Sequence, residues 1–113
     1  DGNLLSLVPA LLGAGFDGIH PIQPQCMDIE QMKRDFGKRT CLLGNIDCGF
    51  LLVQGTQEEV RQSVKETIAQ AAPGGGYIIC SSNSIQPGCK PENYLALVAA
   101  AREYGRYPEL AGA

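Results

Sequence analysis

Gly74-Gly75-Gly76-Tyr77-Ile78-Ile79-Cys80-Ser81-Ser82-Asn83-Ser84-Ile85 is the stretch on which the reading of this chain turns. Three glycines release a short apolar run, which stops abruptly in four small polar residues before a helix begins. A strand that ends this way delivers hydrogen-bonding groups to a site. Pro73 and the glycines turn the chain into a strand expected over Tyr77–Cys80. Pro91, at a first-turn position, opens a helix in which Tyr94, Leu97, Val98, Ala101 and Tyr104 recur at helical spacing until Gly105.

The same alternation extends toward the N-terminus. Thr56 and Glu59 have the spacing of a capping box, in which each side chain accepts a backbone N–H, and Val60, Val64 and Ile68 line the helix behind them. Thr40–Leu43 is the preceding strand and leads into Gly44-Asn45-Ile46-Asp47. Before it, Asp28 caps a helix with Ile29, Met32 and Phe36 facing inward, and Gly37 is expected to end that helix in a left-handed conformation. Gly18–Ile22 is a short strand whose internal Pro21 implies an early end, an edge or a bulge. Leu4, Val8, Leu11 and Leu12 mark one face of a first helix over Asn3–Gly13.

The order is αβαβαβα, an α/β chain whose strands are short and apolar, as buried parallel strands tend to be. In such folds ligands meet the carboxyl ends of the strands, and here the loops after the strands are the ones rich in Asn, Asp and Ser. Three strands leave two open edges, and a (β/α)8 TIM barrel takes about 250 residues. The expectation is therefore a single segment, residues 1–113, forming part of such a barrel: about three parallel βα units plus one leading helix.

Composition narrows the partners. Of 113 residues 44% are hydrophobic, and no apolar run approaches the roughly 18 that would argue for a membrane span. Net charge is -3, and the nine Lys and Arg residues are scattered, which argues against nucleic acid as well as membrane. Five cysteines without a CxxC pair, behind an N-terminus that lacks a signal-peptide core, fit reduced thiols in a cytoplasm. The chain opens on Asp1 rather than Met, which fits processing, a removed tag or a start within a longer polypeptide.

Leu42-Leu43-Gly44-Asn45-Ile46-Asp47, then Gly55-Thr56 with Glu58-Glu59-Val60, then Gly75 to Ile79 through Pro91-Glu92-Asn93, resemble the C-terminal third of the uroporphyrinogen decarboxylase family. That superfamily also holds zinc-dependent, corrinoid-linked methyltransferases. The resemblance implies a (β/α)8 barrel and a small carboxylated substrate, a tetrapyrrole or similar poly-acid, decarboxylated without a cofactor. It also implies that the aspartate and arginines holding that substrate lie in units this chain lacks, so that the segment alone is inactive. The alternative it carries is methyl transfer with zinc and cobalamin. After the last strand decarboxylases have a histidine and methyltransferases a zinc-binding cysteine, and both align with Asn83. An amide oxygen replaces a thiolate poorly on zinc, but it leaves an N–H that can bond a carboxylate.

The residues expected in the cavity wall are Asn83, Ser82, Asn45, Asp47 and His20. Each has a plainer reading. His20, the single histidine, is an acid, base or ligand, or a structural side chain bonded to backbone. Asn45 and Asp47, beyond the second strand, orient a polar ligand or close an Asx-type turn. Gln23 and Gln25 line the same mouth or are simply solvated. Cys48, Cys80, Cys89 and His20 have irregular spacing for zinc, and strand cysteines usually pack as small hydrophobes, so no metal is expected. The triple glycine precedes a strand, whereas a P-loop follows one, so it reads as a tight connection. Lys90 and Arg106 read as solvated, and Tyr94 and Tyr104 as packing residues. A non-catalytic module that covers its edges by self-association is the remaining reading, and a homo-oligomer is expected of it.

Overall fold

The structure is a computed structural model and describes residues 2–106. A 3-10 turn at Leu5–Leu7 leads into α1 (Val8–Gly13), followed by β1 (Gly18–Ile22), α2 (Ile29–Phe36), β2 (Cys41–Ile46), α3 (Leu51–Gln54), α4 (Gln57–Ala71), β3 (Tyr77–Ser81) and α5 (Pro91–Tyr104). The three strands form one parallel sheet in the order β1-β2-β3.

Side chains alternate across a sheet, and here the two faces have different fates. Ile19, Ile22, Leu42 and Ile46 are buried beneath the helices, with Tyr77 and Ile79 packed against the same layer. Met32 from α2, Val60, Val64 and Ile68 from α4, and Leu97 and Ala100 from α5 complete that core. On the opposite face Leu43 and Ile78 are register partners, and Ile78 is 53% exposed. The Cα envelope, 39 × 33 × 17 Å, has the thickness of one sheet layer and one helix layer. Helices on a single face, parallel strands and an apolar second face are the geometry of a segment of barrel wall.

Local chemistry accounts for the element ends. Asp28 accepts the Glu30 N–H at the start of α2, and Thr56 and Glu59 form a complete capping box at the start of α4. Pro21 sits on the edge strand, and the β1–β2 register shifts between Ile19 and Ile22, as the proline implied. That irregularity presses Ile22 against Gly44, which has φ +151; a Cβ there would stand 2.8 Å from the Ile22 carbonyl oxygen. Gly74, Gly75 and Gly76 all have positive φ and make the tight return into β3.

Several expectations are corrected. β2 runs on through Asn45 and Ile46, so Asn45 lies within the strand and only Asp47 lies beyond it. Gly37 ends α2 with a right-handed φ of -64°. The regular part of the first helix begins only at Val8, and the short α3 was not anticipated. In α5 the buried stripe is Asn93, Ala96, Leu97 and Ala100. Tyr94, expected to pack, is 45% exposed beside a groove of about 640 Å³ with Ile85 and Val98. The stripe is rotated because a polar residue, Asn93, occupies a buried position: its amide donates to the Leu52 and Gly55 carbonyls at 3.2 and 2.9 Å.

Candidate functional site

The carboxyl ends of β2 and β3 lie side by side. Ile46 pairs with Ser81, and the Ser82 N–H adds one more rung by donating to the Ile46 carbonyl at 2.7 Å. The residues that follow, Asp47-Cys48-Gly49 and Ser82-Asn83, therefore meet across a cleft of about 280 Å³, and Gln23 and Gln25 from the loop after β1 close its third side.

Within it Asp47 is the one ionisable carboxylate. Its Oδ1 accepts the Gly49 N–H at 3.0 Å and its Oδ2 the Leu51 N–H at 3.2 Å, which caps α3. Burial pushes its carboxyl pKa up, but hydrogen bonds from the Gln25 side chain and from the N–H groups of Gly49, Leu51 and Phe50 outweigh it and hold the value below the usual one. Asp47 is thus an anion near neutral pH, a hydrogen-bond acceptor and a poor proton donor. The turn reading of this residue is correct, and its carboxylate still borders the cleft.

Ser82 joins the two strand ends. It is buried, its Oγ accepts the Cys48 N–H at 3.3 Å and it lies 3.4 Å from the Cys48 Sγ. Asn83 is exposed at the cleft rim; its Oδ1 accepts the Ser84 N–H at 2.7 Å, and its carbonyl accepts from the Ser81 hydroxyl at 2.6 Å. The first of these bonds orients the side-chain amide and the second holds its backbone. Gln23 uses its Oε1 to accept the Gly2 N–H at 2.9 Å.

Two expected members are placed differently. Asn45 is buried beneath the cleft and donates from Nδ2 to the Ile22 carbonyl at 2.8 Å, bridging β2 to the irregular end of β1. His20 is exposed at the other edge of β1, in an apolar hollow with Leu4, Leu11 and Phe16. Cys48 and Gly49 join the site without having been singled out for it. Their place after Asp47 at a strand end was the available signal.

The zinc implied by the methyltransferase resemblance does not fit the side chains present. Among the described residues no three His, Cys, Asp or Glu side chains are grouped to hold a metal ion. The Cys48 thiol faces the Ser82 hydroxyl, and the Cys89 thiol donates to the Cys48 carbonyl at 3.4 Å. Among the described residues, too, no helix is long and apolar enough to cross a membrane.

A parallel sheet covered by helices on one face, with a polar cleft at the carboxyl ends of its strands, defines a portion of a (β/α)-barrel wall. The profile of the uroporphyrinogen decarboxylase (URO-D) family matches residues 1–104, and the chain belongs to that family. It is 31% identical over 78 residues to the uroporphyrinogen decarboxylase of Pseudoalteromonas translucida (strain TAC 125), an alignment covering 69% of this chain and 22% of that protein. It is 29% identical over 103 residues to the methylcobamide:CoM methyltransferase MtaA of Methanosarcina barkeri, covering 91% of this chain and 29% of the relative. Among solved structures, a methyltransferase from Methanosarcina mazei superposes with a TM-score of 0.79 at 25% identity, over 94% of this chain and 30% of that one. The chain thus spans less than a third of the length of these relatives.

Proposed function

We propose that this chain supplies the C-terminal portion of a uroporphyrinogen-decarboxylase-like barrel, and that its cleft is one wall of a pocket for a small poly-carboxylated substrate of the tetrapyrrole class. The observation that carries this reading is the convergence of Gln23, Gln25, Asp47 and Asn83 at the carboxyl ends of the strands. Side-chain amides donate to carboxylates, while a carboxylate and amide oxygens accept ring N–H groups; a ligand bearing both needs both. No Lys, Arg or His borders the cleft, so counter-charge and proton delivery belong to groups outside this chain, and the segment by itself is a binding wall without turnover. No cofactor is required for this role.

The second reading is a corrinoid-linked methyltransferase relative, favoured by the longer alignment to the Methanosarcina barkeri protein. Zinc and cobalamin would then be held by residues beyond this chain. In either case the exposed Ile78 and half-buried Leu43 on the uncovered sheet face favour self-association of the isolated chain.

The test pairs binding with turnover. Fluorescence titration with uroporphyrin is expected to saturate, and to weaken in Asn83→Ala and Gln25→Ala. Incubation with uroporphyrinogen is expected to release no carbon dioxide above background. Absence of saturable binding overturns the wall assignment, and turnover by the chain alone, decarboxylation or methyl transfer, overturns its incompleteness.

A further inference from the structure

At the opposite end of the sheet from the cleft lies a cavity of about 470 Å³ bordered by Lys33, Arg34, Lys38 and the glycines Gly74 to Gly76. We propose that it is an anion site that takes a phosphate group carried on a larger molecule.

Charge is the first argument. In a chain of net charge -3, three cationic side chains border one cavity and no Asp or Glu does. Among the described residues none of the three is in an ion pair; both ion pairs there belong to Arg61. Burial pushes the Lys33 ammonium pKa down, so part of its hydration is already lost without a carboxylate in exchange. A position in or near the last turn of α2 explains Lys33 and Arg34 through the helix dipole. It does not explain Lys38, which lies beyond the helix.

The glycine loop supplies the second argument. Positive φ at Gly74, Gly75 and Gly76 turns the backbone without side chains in the way, and a Cβ at Gly74 or Gly75 would meet nothing within 4 Å. The Gly75 N–H donates to the Ala72 carbonyl, whereas the N–H groups of Gly74 and Gly76 make no hydrogen bond among the described residues. Lys33 donates from Nζ to the Gly75 carbonyl, which tethers the loop to α2 and sets the cavity walls. Backbone N–H groups of a turn that carry no internal partner, in a cavity bordered by cationic side chains, are donors open to an oxyanion. A tetrahedral dianion uses more of those donors than a carboxylate does, and the volume exceeds that of one phosphate, hence a phosphate on a larger carrier.

Pyrophosphate is the probe. The 15N-labelled chain is titrated at constant ionic strength, with chloride exchanged for pyrophosphate. Saturable shifts confined to Gly74, Gly76 and Lys38 are expected, with affinity at least tenfold weaker in Arg34→Gln/Lys38→Gln and unchanged in Lys90→Gln, which removes a cation elsewhere. The amide spectrum of each variant reports whether it is folded, and these side chains are at the surface. Acetate at the same concentration is expected to be at least tenfold weaker, and inorganic phosphate intermediate. Unsaturable shifts, equal weakening in Lys90→Gln, or acetate binding as tightly as pyrophosphate would each overturn the proposal.

Discussion

Replacing Asn93 by leucine is the perturbation that most exposes how the mouth loops are held. Asn93 is 1% exposed, and its amide reaches the Leu52 and Gly55 carbonyls across the α3–α5 boundary. The two carbonyls do not suffer equally. That of Leu52 also accepts the Lys90 N–H at 2.9 Å and stays satisfied, whereas that of Gly55 has no other donor among the described residues. Leucine keeps the same branched skeleton with bulkier methyl ends, so the expected loss is that of one buried acceptor left unpaired plus some overpacking, about 2 kcal/mol or more. For a domain of this size that lowers the urea midpoint by about 1 M, with the m-value unchanged. Asn93→Asp sharpens the test. Its carboxyl would be buried against two carbonyl oxygens, which raises its folded pKa above the unfolded value of about 3.9. Relative to the parent, its stability is fully present below pH 4 and is lost as pH rises through that raised folded value. The assay is urea unfolding of parent and both variants at pH 3.5 and pH 7. A leucine variant within 0.5 kcal/mol of the parent, a threshold of about the usual surface effect, or an aspartate variant whose deficit does not shrink at the lower pH, would refute the reasoning.

Gly44→Ala forces a side chain into φ +151 and against the Ile22 backbone; a loss of about 2 kcal/mol or more is expected in the same assay, and a neutral result would mean that β1 does not approach β2 as described. Asp47, whose pKa is held low, contributes stability that is present above the unfolded carboxylate value and lost as pH falls through the lower folded one. Asp47→Asn is therefore expected to flatten the acid limb of stability against pH, and a curve parallel to the parent's contradicts the capping role. Burial raises the Tyr77 phenol well above its ordinary pKa of 10, with the nearby Cys80 adding to it, and its hydroxyl donates to the Gly44 carbonyl. Ultraviolet titration should find one tyrosine resisting ionisation, absent in Tyr77→Phe, which is expected to lose about 1 kcal/mol.

Much of this was legible because the local signals agree with the global fold. The capping box at Thr56 and Glu59, the aspartate before α2, the proline opening α5 and the edge proline in β1 each act over a few residues, and each is where it was expected. What was missed depends on distant partners. Asn93, noted only as part of the Pro91-Glu92-Asn93 motif, has no local sign of burial; its role follows from the carbonyls of Leu52 and Gly55, some forty residues away, that accept from it. Asn45 reads as a loop residue until Ile22 is seen to need a donor. His20 and Asn83 both lie close to apolar strand residues, yet His20 sits inside β1 and Asn83 beyond the end of β3, which puts them at different places on the sheet. The groups that converge, Asp47 with Ser82 and Asn83, do so because Ile46 and Ser81 are register partners, a pairing that no local pattern encodes.

The carboxyl-end cleft is the face proposed to meet ligand. The most direct measurement is a map of amide shifts in the 15N-labelled chain on titration with uroporphyrin. Saturable changes at Gln23, Gln25, Asp47, Cys48 and Asn83, with Glu66 and Gln70 on the far side of α4 undisturbed, are the predicted result. Changes centred on the helix layer or on the His20 hollow, with the cleft silent, would contradict it.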